Sequence, residues 1–324
     1  MEDYVLRLEG ITKEFPGVRA LNNMQFQLKR GSVHALIGEN GAGKSTLMKV
    51  LSGVYKPDAG TIILDGEQVK VENPLDAERK GISIVHQELS VFRTTTVGEN
   101  VFTTNLPKNK LGMIDYKAMF SEVRQILDTY GFTDVDEKAT MRNLSVGRQQ
   151  IVEILRAVKR NAKILILDEP TSALTEYETE VLMEIMRTLN AQGVSIIYIS
   201  HRLEEIFQIC DTVTIMRDGC YVTTLEVAKT NKDELVRHMV GREVVYKYGA
   251  GTSELGDEIL RVENLSYKNI VKDVSFTLRR GEVLGLAGLE GAGRTEVLEC
   301  IFGVLKPDHG KIFIDGKEAH IRTP

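Results

Sequence analysis

The sequence predicts an α/β protein: a mostly parallel sheet covered by helices, followed by a partial second copy of its own first part. Three observations carry this. Short apolar runs rich in β-branched residues alternate with segments of helical periodicity, the pattern of strands buried on both faces. A glycine-rich loop lies directly between the first such run and the next helical segment. A shift of 250 positions then lays residues 31–74 over 281–324 with 17 identities in 44 and no gap, far above chance.

Taken in order, VLRLEGITK (5–13) matches ILRVENLSY (259–267) at a shift of 254, so the second copy is four residues shorter ahead of its glycine loop. VHALI (33–37) predicts a buried strand, and the helix beyond the loop carries Leu47, Met48 and Leu51. Residues 100–160 read as mainly helical, with Phe120, Val123, Ile126 and Leu127 on one face, which predicts an inserted helical subdomain over about 98–158. Residues 162–168 and 194–200 are further strands, separated by a helix with Leu182, Ile185, Met186 and Leu189 at 3/4 spacing. Gly249, Gly251 and Gly256 interrupt a polar stretch. The expected organisation is therefore a first domain over 1–242, a linker over 243–256 and a second copy over 257–324. That second copy has 68 residues where the first uses roughly 240, so it is expected to be incomplete.

Composition narrows the function. The 324 residues are 42% hydrophobic and 27% charged, those of a folded chain, and 41 basic against 46 acidic residues leave a net charge of −5. A nucleic-acid binder would show a basic excess, so anion binding must be local. Cys210, Cys220 and Cys300 form no C-x-x-C pair and are odd in number, which argues against a zinc cluster and a disulfide framework and fits a reducing cytosol. The start carries two acids and no apolar leader, and no run reaches the ~18–20 apolar residues of a spanning helix. The expectation is a chain neither exported nor membrane-spanning by itself.

The chemistry concentrates on a few motifs. Gly38, Glu39, Asn40, Gly41, Ala42, Gly43, Lys44 and Ser45 fit G-x-x-x-x-G-K-[ST] after a strand and at the start of a helix. Such a loop wraps polyphosphate with backbone N–H groups and the helix N-terminus, while Lys44 reaches the terminal phosphates and Ser45 ligates Mg²⁺. Thr46, next in that first turn, is counted with the binding residues. The strand ILIL ends in Asp168 and Glu169 at the sheet edge where ligands bind in open α/β folds; Asp168 is expected to hold Mg²⁺ through water and Glu169 to orient or deprotonate the attacking water. His201 follows the strand IIYIS and can reach the γ-phosphate from the same edge; Gln87 follows ISIVH in the same way. In LSVGRQQ, Ser145 is an N-cap candidate for a helix with Ile151, Ile154 and Leu155.

These residues, in this order, resemble the ABC-type ATPases over essentially the whole chain. FPGVRALNN, GENGAGKSTLMKVLSGVYKPDAG, HQELS, ILDEPTSALT and YISHRLEEIFQICD are similar to the double-domain ATP-binding subunits of bacterial monosaccharide importers. The resemblance implies a P-loop NTPase fold with an antiparallel β-subdomain beside the main sheet, and ATP and Mg²⁺ as cofactors. It implies that Phe15 stacks on adenine, that Gln87 links Mg²⁺ to the membrane partner, and that residues 172–175 form the D-loop. Nucleotides in the family lie between two such domains, so Ser145 and Gly147 should act on a partner's ATP. Two departures stand out: LSVGR replaces LSGGQ, where valine holds the backbone further from phosphate, and the second glycine loop has Arg294 in place of lysine. One competent and one weak site are the expected result. Implied partners are membrane permease subunits, a periplasmic or extracellular sugar-binding protein and a homodimer of ABC domains, with no nucleic acid, at the cytoplasmic face of the membrane. A non-transport ABC ATPase and a catalytically idle nucleotide-binding scaffold are the rival readings.

Overall fold

The computed structural model describes residues 3–86, 89–103, 106–159, 162–172, 174–241, 255–288, 291–321 and 323–324. The chain divides into two compact units, residues 1–244 and 245–324. The expected linker over 243–256 lies outside the described residues except for Leu255 and Gly256. Among the described residues no helix is long and apolar enough to cross a membrane.

The first unit begins with the antiparallel pair β1 (Tyr4–Phe15) and β2 (Val18–Lys29). There follow β3 (Val33–Ile37), α1 (Lys44–Leu51), β4 (Ala59–Leu64), β5 (Glu67–Val69), α2 (Pro74–Arg79) and β6 (Ile82–Val85). Next come α3 (Val97–Val101), α4 (Tyr116–Thr129) and α5 (Val146–Lys159), then β7 (Ile164–Asp168), α6 (Glu176–Ala191), β8 (Ser195–Ile199) and α7 (Leu203–Ile209). The hairpin β9 (Thr212–Arg217) and β10 (Cys220–Glu226) and helix α8 (Lys232–Val240) close the unit. Strands β2-β1-β4-β5 form an antiparallel sheet; β10-β9-β3-β8-β7-β6 form the main sheet, parallel except for β10.

Strand periodicity sorts the apolar side chains of the main sheet into two cores. Ile164, Ile166, Ile197 and Ile199 pack with β1, β2 and α1, whereas Leu165, Leu167, Ile196 and Tyr198 pack with the helices between β6 and β7 and with α6. Both faces of the strands are therefore covered, which is why their sequences are unbroken apolar runs. α6 buries Leu182, Ile185, Met186 and Leu189 as its spacing predicts.

The inserted region departs from its expected form in two ways. Met119, Val123 and Leu127 are the fully buried row of α4, with Phe120 and Ile126 at its margin. Residues 106–115 are not helical: the Asn109 side-chain oxygen accepts the Leu111 and Met113 N–H groups at 2.9 and 3.1 Å, and Lys108 bridges Ile114. Pro107, Asn109 and Gly112 favour this turn over a helix.

The second unit contains β11 (Glu258–Tyr267), β12 (Val271–Arg279), α9 (Arg294–Phe302), β13 (His309–Ile314) and β14 (Lys317–Glu318), in sheet order β12-β11-β13-β14. That order repeats β2-β1-β4-β5 of the first unit. Residues 282–288, which match β3 in sequence, are not a strand, and Val283 is 98% exposed. β3 is held between β8 and β9, and the second unit has no counterpart of either among the described residues.

Candidate functional site

The glycine loop connects β3 to α1 across backbone that comes from distant parts of the first unit. Gly38 has φ +159°, and a Cβ there would lie 2.3 Å from the Met216 carbonyl oxygen of β9. Gly43, the left-handed N-cap of α1 at φ +97°, would place a Cβ 2.6 Å from the Ala20 carbonyl oxygen of β2. Glycine is required at both positions because the neighbouring atoms are backbone and cannot swing aside. The Gly219 N–H of the β9–β10 turn donates to the Ala42 carbonyl at 3.1 Å, which fixes the loop from the other side.

Lys44 turns back over the loop, its Nζ donating to the Gly38 and Glu39 carbonyls at 2.8 and 3.1 Å. Burial lowers the pKa of this ammonium, and the charges of Glu169 and Asp168 oppose that shift. Ser45 is exposed in the first turn of α1, with Thr46 beside it. Gly41, Ala42, Gly43, Lys44, Ser45 and Thr46 line a cavity of about 670 Å³ together with Asn40, Val18, Arg19, Ala20, Glu169, Asp218 and Gly219.

Asp168 ends β7, half-buried, with its carboxyl pKa raised first by burial and then by the charge of Glu169; His86, Lys44 and Lys49 pull the other way. Glu169 leaves the strand in the left-handed region at φ +48°, a conformation costing ~1–2 kcal/mol for a side chain with a Cβ. Its N–H donates to the Ile199 carbonyl at 2.9 Å, and its Oε2 lies 3.4 Å from His201 Nδ1. The His201 side chain is 64% exposed. The ends of β7 and β8 thus bring Asp168, Glu169 and His201 to one edge of the sheet, beside Lys44.

The structure distributes the other expected site residues differently. Phe15, at the end of β1, stacks edge-on against Tyr55 with ring centres 5.2 Å apart and does not line the cavity. Ser145 and Gly147 do not line it either; they sit at the start of α5, where Ser145 Oγ donates to Glu178 Oε1 at 3.2 Å. Gln87 and Ala173 lie outside the described residues, as do Leu289 and Glu290 of the second glycine loop. In that loop Gly293 is again a left-handed N-cap, with Arg294 opening α9. Sequence reasoning missed Ala20, Met216 and Gly219, which shape the loop from outside it. Asp218-Gly219 between two strand patterns is a hairpin signal that could have located the last of them.

A glycine loop before a helix, a carboxylate pair ending a parallel strand of the same sheet with one strand between, and an inserted helical region define an ATP-binding-cassette architecture. The chain matches the ABC transporter family over residues 21–172 and 271–323 and belongs to that family. Among its relatives, the ribose import ATP-binding protein RbsA of Geobacillus kaustophilus is 48% identical over 321 residues, 99% of this chain and 65% of the relative. The galactose/methyl galactoside import ATP-binding protein MglA 1 of Photobacterium profundum is 47% identical over 325 residues, 100% of this chain and 65% of the relative. The chain therefore spans just under two thirds of the length of these curated relatives. The ADP conformation of MJ1267, an ATP-binding cassette of an ABC transporter, superposes with TM-score 0.64 at 24% identity, covering 74% of this chain and 99% of that one. The cbiO1 structure from Clostridium perfringens gives TM-score 0.60 at 26% identity, covering 74% and 95%.

Proposed function

We propose that the first unit binds MgATP and hydrolyses it to drive import of a monosaccharide through a membrane permease. The observation that carries the nucleotide reading is the cavity in which the glycine loop, Lys44 and Glu169 share one wall. The loop N–H groups and Lys44 hold the phosphates; burial lowers the pKa of Lys44, and the charges of Glu169 and Asp168 oppose that shift. Glu169 positions the attacking water and accepts its proton, and His201, 3.4 Å from Glu169, contacts the γ-phosphate. Ser45 and Asp168 fit Mg²⁺, since a carboxylate held in a half-buried, like-charged setting favours a cation. The metal would neutralise the β- and γ-phosphate charge as it builds. Gln87 joins this set on the sequence pattern alone, as does Phe15 for the adenine.

Sugar import rests on the printed names of relatives such as RbsA and MglA. By the same reading the chain works at the cytoplasmic membrane face with permease subunits, and a sugar-binding protein supplies the solute. The second unit is the N-terminal part of a second ABC domain, supported by its repeat of the β2-β1-β4-β5 order. Ser145 and Gly147 would then serve the nucleotide of another domain. Light scattering of the Glu169→Gln chain tests this: an ATP-dependent dimer supports a sandwich closed by LSVGR, and ATP binding without dimerisation refutes the homodimer. Failure of Glu169→Gln to lower ATP turnover would refute the catalytic assignment.

A further inference from the structure

β7 delivers Asp168 and Glu169 to the sheet edge and β8 delivers His201, yet the two loops after these strands are also joined from behind. Glu205, in the first turn of α7, is 5% exposed, and a single oxygen of its carboxylate accepts three hydroxyl groups. Ser200 Oγ donates to Oε2 at 2.6 Å, Tyr198 OH at 2.8 Å and Thr171 Oγ1 at 3.1 Å. Oε1 lies 3.4 Å from Arg202 Nη1. Ser200 Oγ, its one proton given to Glu205, accepts the Arg202 N–H at 3.0 Å. Thr171, Tyr198 and Ser200 are each at most 3% exposed, so water does not compete for these bonds.

The arrangement is specific to the two reacting side chains. Ser200 and Arg202 flank His201 on both sides, and Thr171 is two residues beyond Glu169. Glu169 is itself in a left-handed conformation that only surrounding structure maintains. A network that merely attached α7 to the sheet would need one bond to β8; this one also reaches the loop after β7. The three hydroxyl protons point inward because one carboxylate oxygen collects them, which ties down the chain on both sides of His201 and two residues beyond Glu169.

We infer that Glu205 is the positioning residue that holds His201 in register with Glu169, acting through Ser200 and Thr171. This rests on the assignment of Glu169 and His201 under the proposed function. Glutamine is the informative replacement: it keeps the volume, removes the charge and turns an amide donor toward groups that already donate.

The test uses the whole chain with Glu205→Gln, Ser200→Ala and, as a control, Glu169→Gln. ATP turnover at saturation, MgATP affinity and the ring signals of isotope-labelled histidine are measured, with His201 assigned by His201→Gln. The expected result for Glu205→Gln is a fall in turnover of about ten-fold or more with affinity held within about two-fold. The His201 ring signals should move while those of His34, inside β3 against Phe26 and Thr214, stay in place. Ser200→Ala should act in the same direction with a smaller fall, and it carries the test should Glu205→Gln not fold. Unmoved His201 signals in a folded variant overturn the inference. So does a parallel loss of affinity and turnover with every histidine signal displaced, which marks a purely structural role. Equal turnover by the wild-type and Glu169→Gln chains would sink the catalytic reading instead, and the His201 spectrum would still decide the role of Glu205.

Discussion

The effect of Gly147→Ala on stability should change sign with the identity of residue 178. Gly147 lies in the first turn of α5, where alanine gains up to about 1 kcal/mol of helix propensity. A Cβ at this position, however, would come within 2.3 Å of the Glu178 carboxylate. Glu178 closes the capping box of α6, its Oε2 accepting the Thr175 N–H and Oγ1 at 3.0 Å each, and its Oε1 accepts Ser145 Oγ at 3.2 Å. The carboxylate is the end of a flexible side chain, so it moves away and the backbone stays; what is lost is this set of bonds. The capping interaction is worth roughly 1 kcal/mol and the Ser145 bond about 0.5–1 kcal/mol. Gly147→Ala should therefore destabilise the wild-type chain by about 0.5–1 kcal/mol. In a Glu178→Ala background the same change should stabilise by up to about 1 kcal/mol, a coupling of ~1.5–2 kcal/mol. Urea unfolding of the four chains of this cycle, followed by far-ultraviolet circular dichroism, measures it. Equal stabilisation in both backgrounds would refute the claim that Glu178 occupies the start of α5.

Other consequences are equally direct. Gly38→Ala sets a Cβ against the Met216 carbonyl and should cost roughly 2–4 kcal/mol while abolishing the rise in melting temperature that ATP produces, read by thermal unfolding with and without nucleotide. His34 is fully buried, and burial pushes its pKa down to about 3 from 6.5. Its contribution to stability is complete above pH 6.5 and falls by about 1.4 kcal/mol per pH unit toward pH 3, as the unfolded imidazole takes up a proton that the folded one refuses. His34→Gln should remove about one proton's worth of that slope in urea titrations between pH 6.5 and 4. Asp168 is shifted the opposite way for its type: its raised pKa makes the ionised folded form unfavourable, so stability is lost as pH rises through the ordinary carboxylate range and beyond. Asp168→Asn should accordingly be more stable than wild type at pH 7 without nucleotide, with the difference gone near pH 3; a less stable variant at pH 7 would contradict it. In hydrogen–deuterium exchange, amides of residues 283–287 should exchange much faster than those of β3, and matched protection would contradict the absence of strand pairing described for that segment.

Much of the first unit was legible because its signals are local. The runs at 33–37, 162–168 and 194–200 are strands, and the glycine loop lies where its spacing put it. Phosphate chemistry demands particular residues at fixed offsets, and offsets survive in a one-dimensional string. Three things were not legible. The hairpin at 106–115 interrupts a region of helical composition through one asparagine side chain, a local bond that periodicity averages away. The segment at 282–288 has the composition of β3 but no flanking strands among the described residues, and a strand is defined by neighbours that its own residues do not encode. Glu178 and Glu205 carry no sequence signal beyond that of acids near a helix start; what distinguishes them is which hydroxyls the fold brings within reach.

The close approach of Gly38 to Met216 also sets an order in time. The glycine loop leaves the ribosome well before two of the walls that shape it, Met216 and Gly219. At roughly 5–20 residues per second the nascent chain carries an unformed site for on the order of ten seconds or more. On the proposed function, nucleotide meets a loop without these two walls until the β9–β10 hairpin has docked. Its binding then reports that the first unit has been made and folded as far as that hairpin, so a chain interrupted before it would lack nucleotide-dependent protection from proteolysis.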